Sequence, residues 1–152
     1  MYDYKAYFEV GVLMMKFSGS YIEDEADQGF LTIVRSMKLD EKFAITKVIF
    51  DLKNVTSMTL ANTDRSRVSH WEAELCSIYN RPGKDPVAYL ATIEIYCILP
   101  DDSVVKDIYL ERIAKLSSGQ RITPVGGKYF NDLPDLLEHL DLLDLPPLLA
   151  DG

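Results

Sequence analysis

The feature that most constrains this chain is an alternation that begins after residue 47. Short β-branched or aromatic runs alternate there with longer stretches of helical period. Val48-Ile49-Phe50-Asp51-Leu52 has the length of a strand and is apolar enough to be covered on both faces. Residues 93–99 form a second such run and residues 121–125 a shorter third. Between the first two, residues 63–80 place Val68, Trp71, Leu75, Ile78 and Tyr79 on one helical face. After the second, a helix to residue 116 places Val105, Ile108, Tyr109, Ile113 and Leu116 inward. Strands separated by helices in one sheet need crossover connections, and crossovers make neighbouring strands parallel.

The first third of the chain adds a hairpin and one more helix. Residues 4–10 and 12–17 read as strands broken by Gly11, the second ended by Ser18-Gly19-Ser20. Residues 24–38 read as a helix with Ala26, Phe30, Ile33, Val34 and Met37 on its buried face and Asp24 as its cap. Glu23, Glu25 and Asp27 suit the positive end of that helix, and Gly29 costs it about 1 kcal/mol relative to Ala. Residues 53–62 read as a loop, and residues 81–86 (RPGKDP) stop the following helix. Residues 87–92 carry no clear assignment. Pro100-Asp101-Asp102-Ser103 caps the next helix and Ser117-Ser118-Gly119 ends it. Asn131 is expected to cap a last helix bearing Leu133, Leu136, Leu137 and Leu140, with Pro134 tolerated in its first turn. The expected fold class is α/β: a mixed, mostly parallel sheet of about five strands, an N-terminal hairpin and about four helices.

At 152 residues, 47% apolar and 26% charged, the chain has the make-up of one globular domain. We place it at residues 1–141, followed by a Leu- and Pro-rich acidic tail at 142–152. The net charge is −8, and residues 131–152 hold six acids with no Lys or Arg. No basic cluster offers the face that phosphate neutralisation requires, so nucleic acid is not an expected partner. No run of about 18 apolar residues marks a membrane span. Two cysteines, Cys76 and Cys97, are too few for a disulfide scaffold, and the N-terminus lacks the pattern of a signal peptide. The expectation is a cytoplasmic protein with reduced thiols. The tail holds more leucines than one helix face hides, which suggests packing on its own domain or on a second copy, and of the two we favour the homodimer.

Few residues suggest chemistry. His70 and Cys76 are six apart on a helix and point to different faces, so they do not form a zinc pair. His139 lies on the acidic last helix, and both histidines read as solvated. Cys97 sits in the most apolar strand and reads as core filling, and nothing marks Cys76 as activated. Gly126-Gly127-Lys128 reads as a turn, and no nucleotide or nucleophile motif occurs, so no cofactor or metal is implied. Asp51 ends a buried strand, which makes the Asp51 to Asp64 region the best location for a site. Its ordinary role is a hydrogen bond to loop backbone.

Residues 48–58 (VIFDLKNVTSM) resemble the third strand and following loop of the STAS family (sulfate-transporter and anti-sigma-factor-antagonist domains), and residues 12–19 (VLMMKFSG) resemble its second strand. The resemblance covers residues 4–141, and the later segments look more like the SpoIIAA-like branch, sometimes grouped with Sec14-type lipid-binding domains. Where that family carries Asp-Ser-Ser-Gly with a phosphorylated second serine, this chain has Thr59-Leu60-Ala61-Asn62. Ala61 has no hydroxyl, so no phosphoryl switch operates there; Thr59 and Thr63 are expected to cap or to bond the loop. The resemblance implies a non-catalytic, regulatory module that meets a protein partner through residues 53–67. Its contacts would be Thr59, Leu60, Asn62, Thr63, Asp64 and Arg67, with Leu60 exposed as the apolar one. A binder of a small hydrophobic or lipid-like molecule is the alternative. An enzyme ranks last, because no acid–base or nucleophile pair is visible.

Overall fold

A computed structural model describes residues 2–61, 65–90, 92–116 and 128–142. Among them the order is β1 (Tyr2–Tyr7), β2 (Val12–Ile22), α1 (Glu23–Ser36), α2 (Leu39–Ala44), β3 (Lys47–Thr59), α3 (Arg65–Ile78), α4 (Pro86–Leu90), β4 (Glu94–Ile98), α5 (Ser103–Leu116), β5 (Lys128–Phe130) and α6 (Leu133–His139). The five strands form one sheet in the order β1-β2-β3-β4-β5, with β1 antiparallel to β2 and every later pair parallel. This is the expected mixed α/β class.

The strand order dictates the layers. Each crossover steps in the same direction, and crossovers are right-handed, so the connecting helices fall on one face. Leu13, Met15 and Phe17 of β2 meet Phe30 and Val34 of α1, Leu75 of α3, Leu90 of α4 and Val105 of α5 in that layer. The alternate residues Val12 and Met14 face the other way, with Ile49, Tyr96 and Ile98, and α6 covers them through Leu136. A strand buried on both faces reads as a continuous apolar run, which is why residues 12–15 (VLMM) show no alternation.

Several boundaries differ from expectation. β1 stops at Tyr7 because the amides of Val10 and Gly11 turn back to the carbonyls of Tyr7 and Phe8, at 3.1 and 3.3 Å. Gly11 has φ +71°, and its carbonyl accepts from Thr46 and Lys47 at 2.8 and 3.0 Å, docking the hairpin onto the start of β3. β2 does not end at Ser18-Gly19-Ser20, and residues 53–59 are not loop. The two segments continue together as a parallel ribbon through two register shifts, with the Ser57 hydroxyl donating to Ser20 Oγ at 2.9 Å. Apart from Ile22 their outward residues are polar or glycine, which is the composition of a loop; Val55 alone there is fully buried.

α1 begins at Glu23, so Asp24 lies in its first turn and does not cap it. It ends at Ser36 because Lys38 opens α2, whose Glu41 side chain accepts from the Lys38 amide at 2.9 Å. α2 and α4 are one-turn to two-turn helices without an expected counterpart, α4 taking up residues left unassigned. The α5 cap is Asp102, which accepts from the amides of Val104 and Val105, each at 3.0 Å. Ile108 is exposed rather than inward. The α6 cap is Asp132, not Asn131: the Asp132 side chain accepts from the Asp135 amide at 2.8 Å, while Asn131 accepts from Lys106 Nζ at 3.2 Å. The expected strand at 121–125, the helix stop at 117–119, the Gly126-Gly127 turn and the tail from 143 lie outside the described residues. No helix among the described residues is long and apolar enough to cross a membrane.

Candidate functional site

The end of β3 delivers the segment that the residue pattern singles out. Thr59 is exposed on the last position of the strand, and Leu60 is half-buried rather than fully exposed. Arg67 lies in the first turn of α3, beyond which nothing is described of its side chain. Asn62, Thr63 and Asp64 lie outside the described residues.

The structure adds two residues that hold this segment. Both backbone polar groups of Ala61 are engaged by side chains from distant elements. Its amide donates to Glu23 Oε1 at 3.0 Å, and its carbonyl accepts from Arg112 Nη2. Arg112 Nη1 closes the triangle on Glu23 Oε1 at 2.7 Å. The Arg112 and Glu23 side chains are only 11% and 14% exposed. A guanidinium can serve a carboxylate and a carbonyl at once because its donors form a fixed fork. The clamp thus joins the start of α1, the exit of β3 and the middle of α5.

Behind the clamp the groups are neutral. Cys97 of β4 is buried, and its Sγ lies 2.9 Å from the Tyr109 hydroxyl of α5. Burial pushes the Cys97 thiol up to about 11, against the lowering effect of the Tyr109 bond. Burial likewise raises the Tyr109 and Tyr21 phenols, and for Tyr21 the nearby Glu23 and Asp27 carboxylates add to it. A protonated thiol beside protonated phenols packs and hydrogen-bonds; it is not an activated nucleophile.

Asp51 stands apart from this cluster. It is the one charged residue in the buried set of described residues, and its Oδ1 accepts from the Lys53 amide at 3.0 Å. The bond is to local backbone as expected, but Asp51 lies within β3 rather than at a strand end, and that backbone is strand rather than loop. Burial raises its carboxyl, while the Lys53 bond and the Lys16 and Lys53 charges pull the other way. Eight residues of strand, at roughly 3.3 Å each, separate it from Thr59, so the two do not share a site. His70 is exposed, with Nε2 3.9 Å from Glu74 Oε1. His139 packs its ring 5.3 Å from that of Phe130. Among the described residues no group of three or more His, Cys, Asp or Glu is placed to hold a metal ion.

Sequence reasoning missed the clamp because its charges are 89 positions apart. Glu23 has an adequate local explanation at a helix start. Arg112 did leave a signal: it follows Val105 and Tyr109 at helical spacing and so lies on their inward stripe, where an unpaired charge is costly.

No family model matches the chain, and no curated protein matches it in sequence. Two solved structures are similar to it in fold. One is the anti-sigma factor antagonist SpoIIAA in its unphosphorylated form, at 9% identity over 96% of this chain and 100% of the other, with a TM-score of 0.47. The other is a DUF3478-family protein with a SpoIIAA-like fold from Shewanella loihica PV-4, at 14% identity over 92% of each chain and a TM-score of 0.42.

Proposed function

We propose that the protein is a non-catalytic, regulatory binding module that offers residues 53–67 to a protein partner. The observation that carries this reading is the double hold on Ala61 by the partly buried Glu23–Arg112 pair. A surface residue with its backbone already fixed loses little conformational freedom on binding, so more of the contact energy appears as affinity. Thr59, two residues before the fixed one, is exposed, and Leu60 beside it offers its half-exposed apolar side chain. Any chemistry in the complex belongs to the partner.

The test is capture with the immobilised full chain, followed by substitution at the segment. A partner retained by the wild type should be lost by Thr59→Arg and by Leu60→Asp. Both variants should keep the wild-type circular dichroism spectrum. A captured protein that both folded variants still retain would place the contact elsewhere and remove this reading.

A further inference from the structure

The outer edge of β1 is a second exposed surface among the described residues. Among the described residues β1 pairs with β2 alone, and Asp3, Tyr4 and Lys5 at its centre are exposed, Tyr4 by 49%. A free edge offers backbone groups to another strand, and the side chains decide which strand is accepted.

The side chains along this edge are self-complementary. On the face covered by α6, Asp51, Lys16 and Asp3 stand side by side across β3, β2 and β1, because Lys16 is in register with both carboxylates. The row reads minus, plus, minus, and its next position calls for a cation. Lys5 lies two residues from Asp3 on the same face, since both are in register with residues of β2 that face α6. A two-fold axis normal to the sheet keeps each face on its own side, so an antiparallel pairing of two β1 strands must centre on a residue. Centred on Tyr4, Asp3 of each copy stands opposite Lys5 of the other, and Tyr2 opposite Ala6. Centred on Asp3 it opposes two aspartates, and centred on Lys5 two lysines. Opposite charges directly across a pair stabilise and like charges destabilise, so one register is favoured over its neighbours.

We propose that the β1 edge is a homodimer interface: a second copy of this chain adds its β1 antiparallel, centred on Tyr4, and joins two five-stranded sheets into one. The Asp3–Lys5 pairs select the register, and the strand backbones supply the hydrogen bonds. The proposal is independent of the function of residues 53–67, of which 53–59 lie on β3 and 65–67 on α3.

Sedimentation at tens of micromolar and low salt should give twice the chain mass for the wild type. Lys5→Asp places two carboxylates across each pair, and Asp3→Lys places two ammoniums there. Each variant alone should therefore weaken the dimer by about tenfold or more. Mixed in equal amounts, the two should form a one-to-one heterodimer, because every pair then joins opposite charges. Circular dichroism checks that both fold; if either does not, amide exchange of wild-type residues 2–7, expected to slow as concentration rises, decides instead. A monomeric wild type, a dimer indifferent to both variants, a mixture that stays monomeric or exchange in β1 independent of concentration would each overturn the proposal.

Discussion

Arg112 and Glu23 show how much one partly buried pair can decide. Removing one partner withdraws an opposite charge from a partly buried site, which costs up to about 3 kcal/mol, whereas a matched pair of apolar residues is often near neutral. Arg112→Leu should therefore lower the unfolding free energy by about 1–3 kcal/mol in urea titration. Adding Glu23→Leu should cost less than the sum of the two single changes, as a double-mutant cycle would show. Cys97 makes a second case. With its thiol buried and raised to about 11, a thiol reagent at pH 8 should label Cys76 first and reach Cys97 only on unfolding. Asp51 is the third. Its folded carboxyl titrates above the ordinary 3.8, so the folded state binds more protons than the unfolded one between those two values. Stability then falls as pH rises through that window. Asp51→Asn, which keeps an acceptor for the Lys53 amide, should be more stable than wild type at pH 7 and lose that advantage below about pH 4; thermal unfolding at several pH values would show it. At this scale the sequence revealed that Asp51 bonds local backbone and that Cys97 fills the core. It could not show the clamp, because a contact across 89 residues leaves no periodic trace.

Elements were legible where burial is one-sided or complete, and lost where it is neither. The face of α1 carrying Ala26, Phe30, Ile33 and Val34 is buried as its spacing requires, and Leu136 and Leu137 on α6 likewise. The ribbon formed by residues 17–22 and 52–59 escaped because its outward side chains are Ser, Thr, Asn and Lys, the vocabulary of turns. Ile108 illustrates the opposite failure: helical spacing marks it as inward, yet α5 turns Val105 to the core and leaves it exposed. Ile108→Ala should accordingly change stability by less than about 0.5 kcal/mol, while Leu136→Ala should cost about 2–5 kcal/mol, both by denaturant titration. Gly11 joins two elements. A Cβ there would meet the Ala44 carbonyl at 2.8 Å with φ already positive, so Gly11→Ala should lose at least about 1–2 kcal/mol.

For the whole molecule, the sheet is the shared wall of two apolar layers. Leu75 belongs to the layer under α1–α5 and Leu136 to the layer under α6. Their alanine variants should combine additively to within about 0.5 kcal/mol and leave a single unfolding transition, because neither layer is closed without the strands they share. The sequence by itself determined the alternation of strands with the longer helices and the parallel character of the sheet, though not the short helices α2 and α4, since hydrophobic period and crossover handedness are local or topological constraints. Only the tertiary structure decided which charges meet. It tied Ala61 to Glu23 and Arg112, lined Asp51, Lys16 and Asp3 across three strands, and left the β1 edge uncovered among the described residues. Those outcomes depend on strand register and helix rotation, which follow from how the whole core packs.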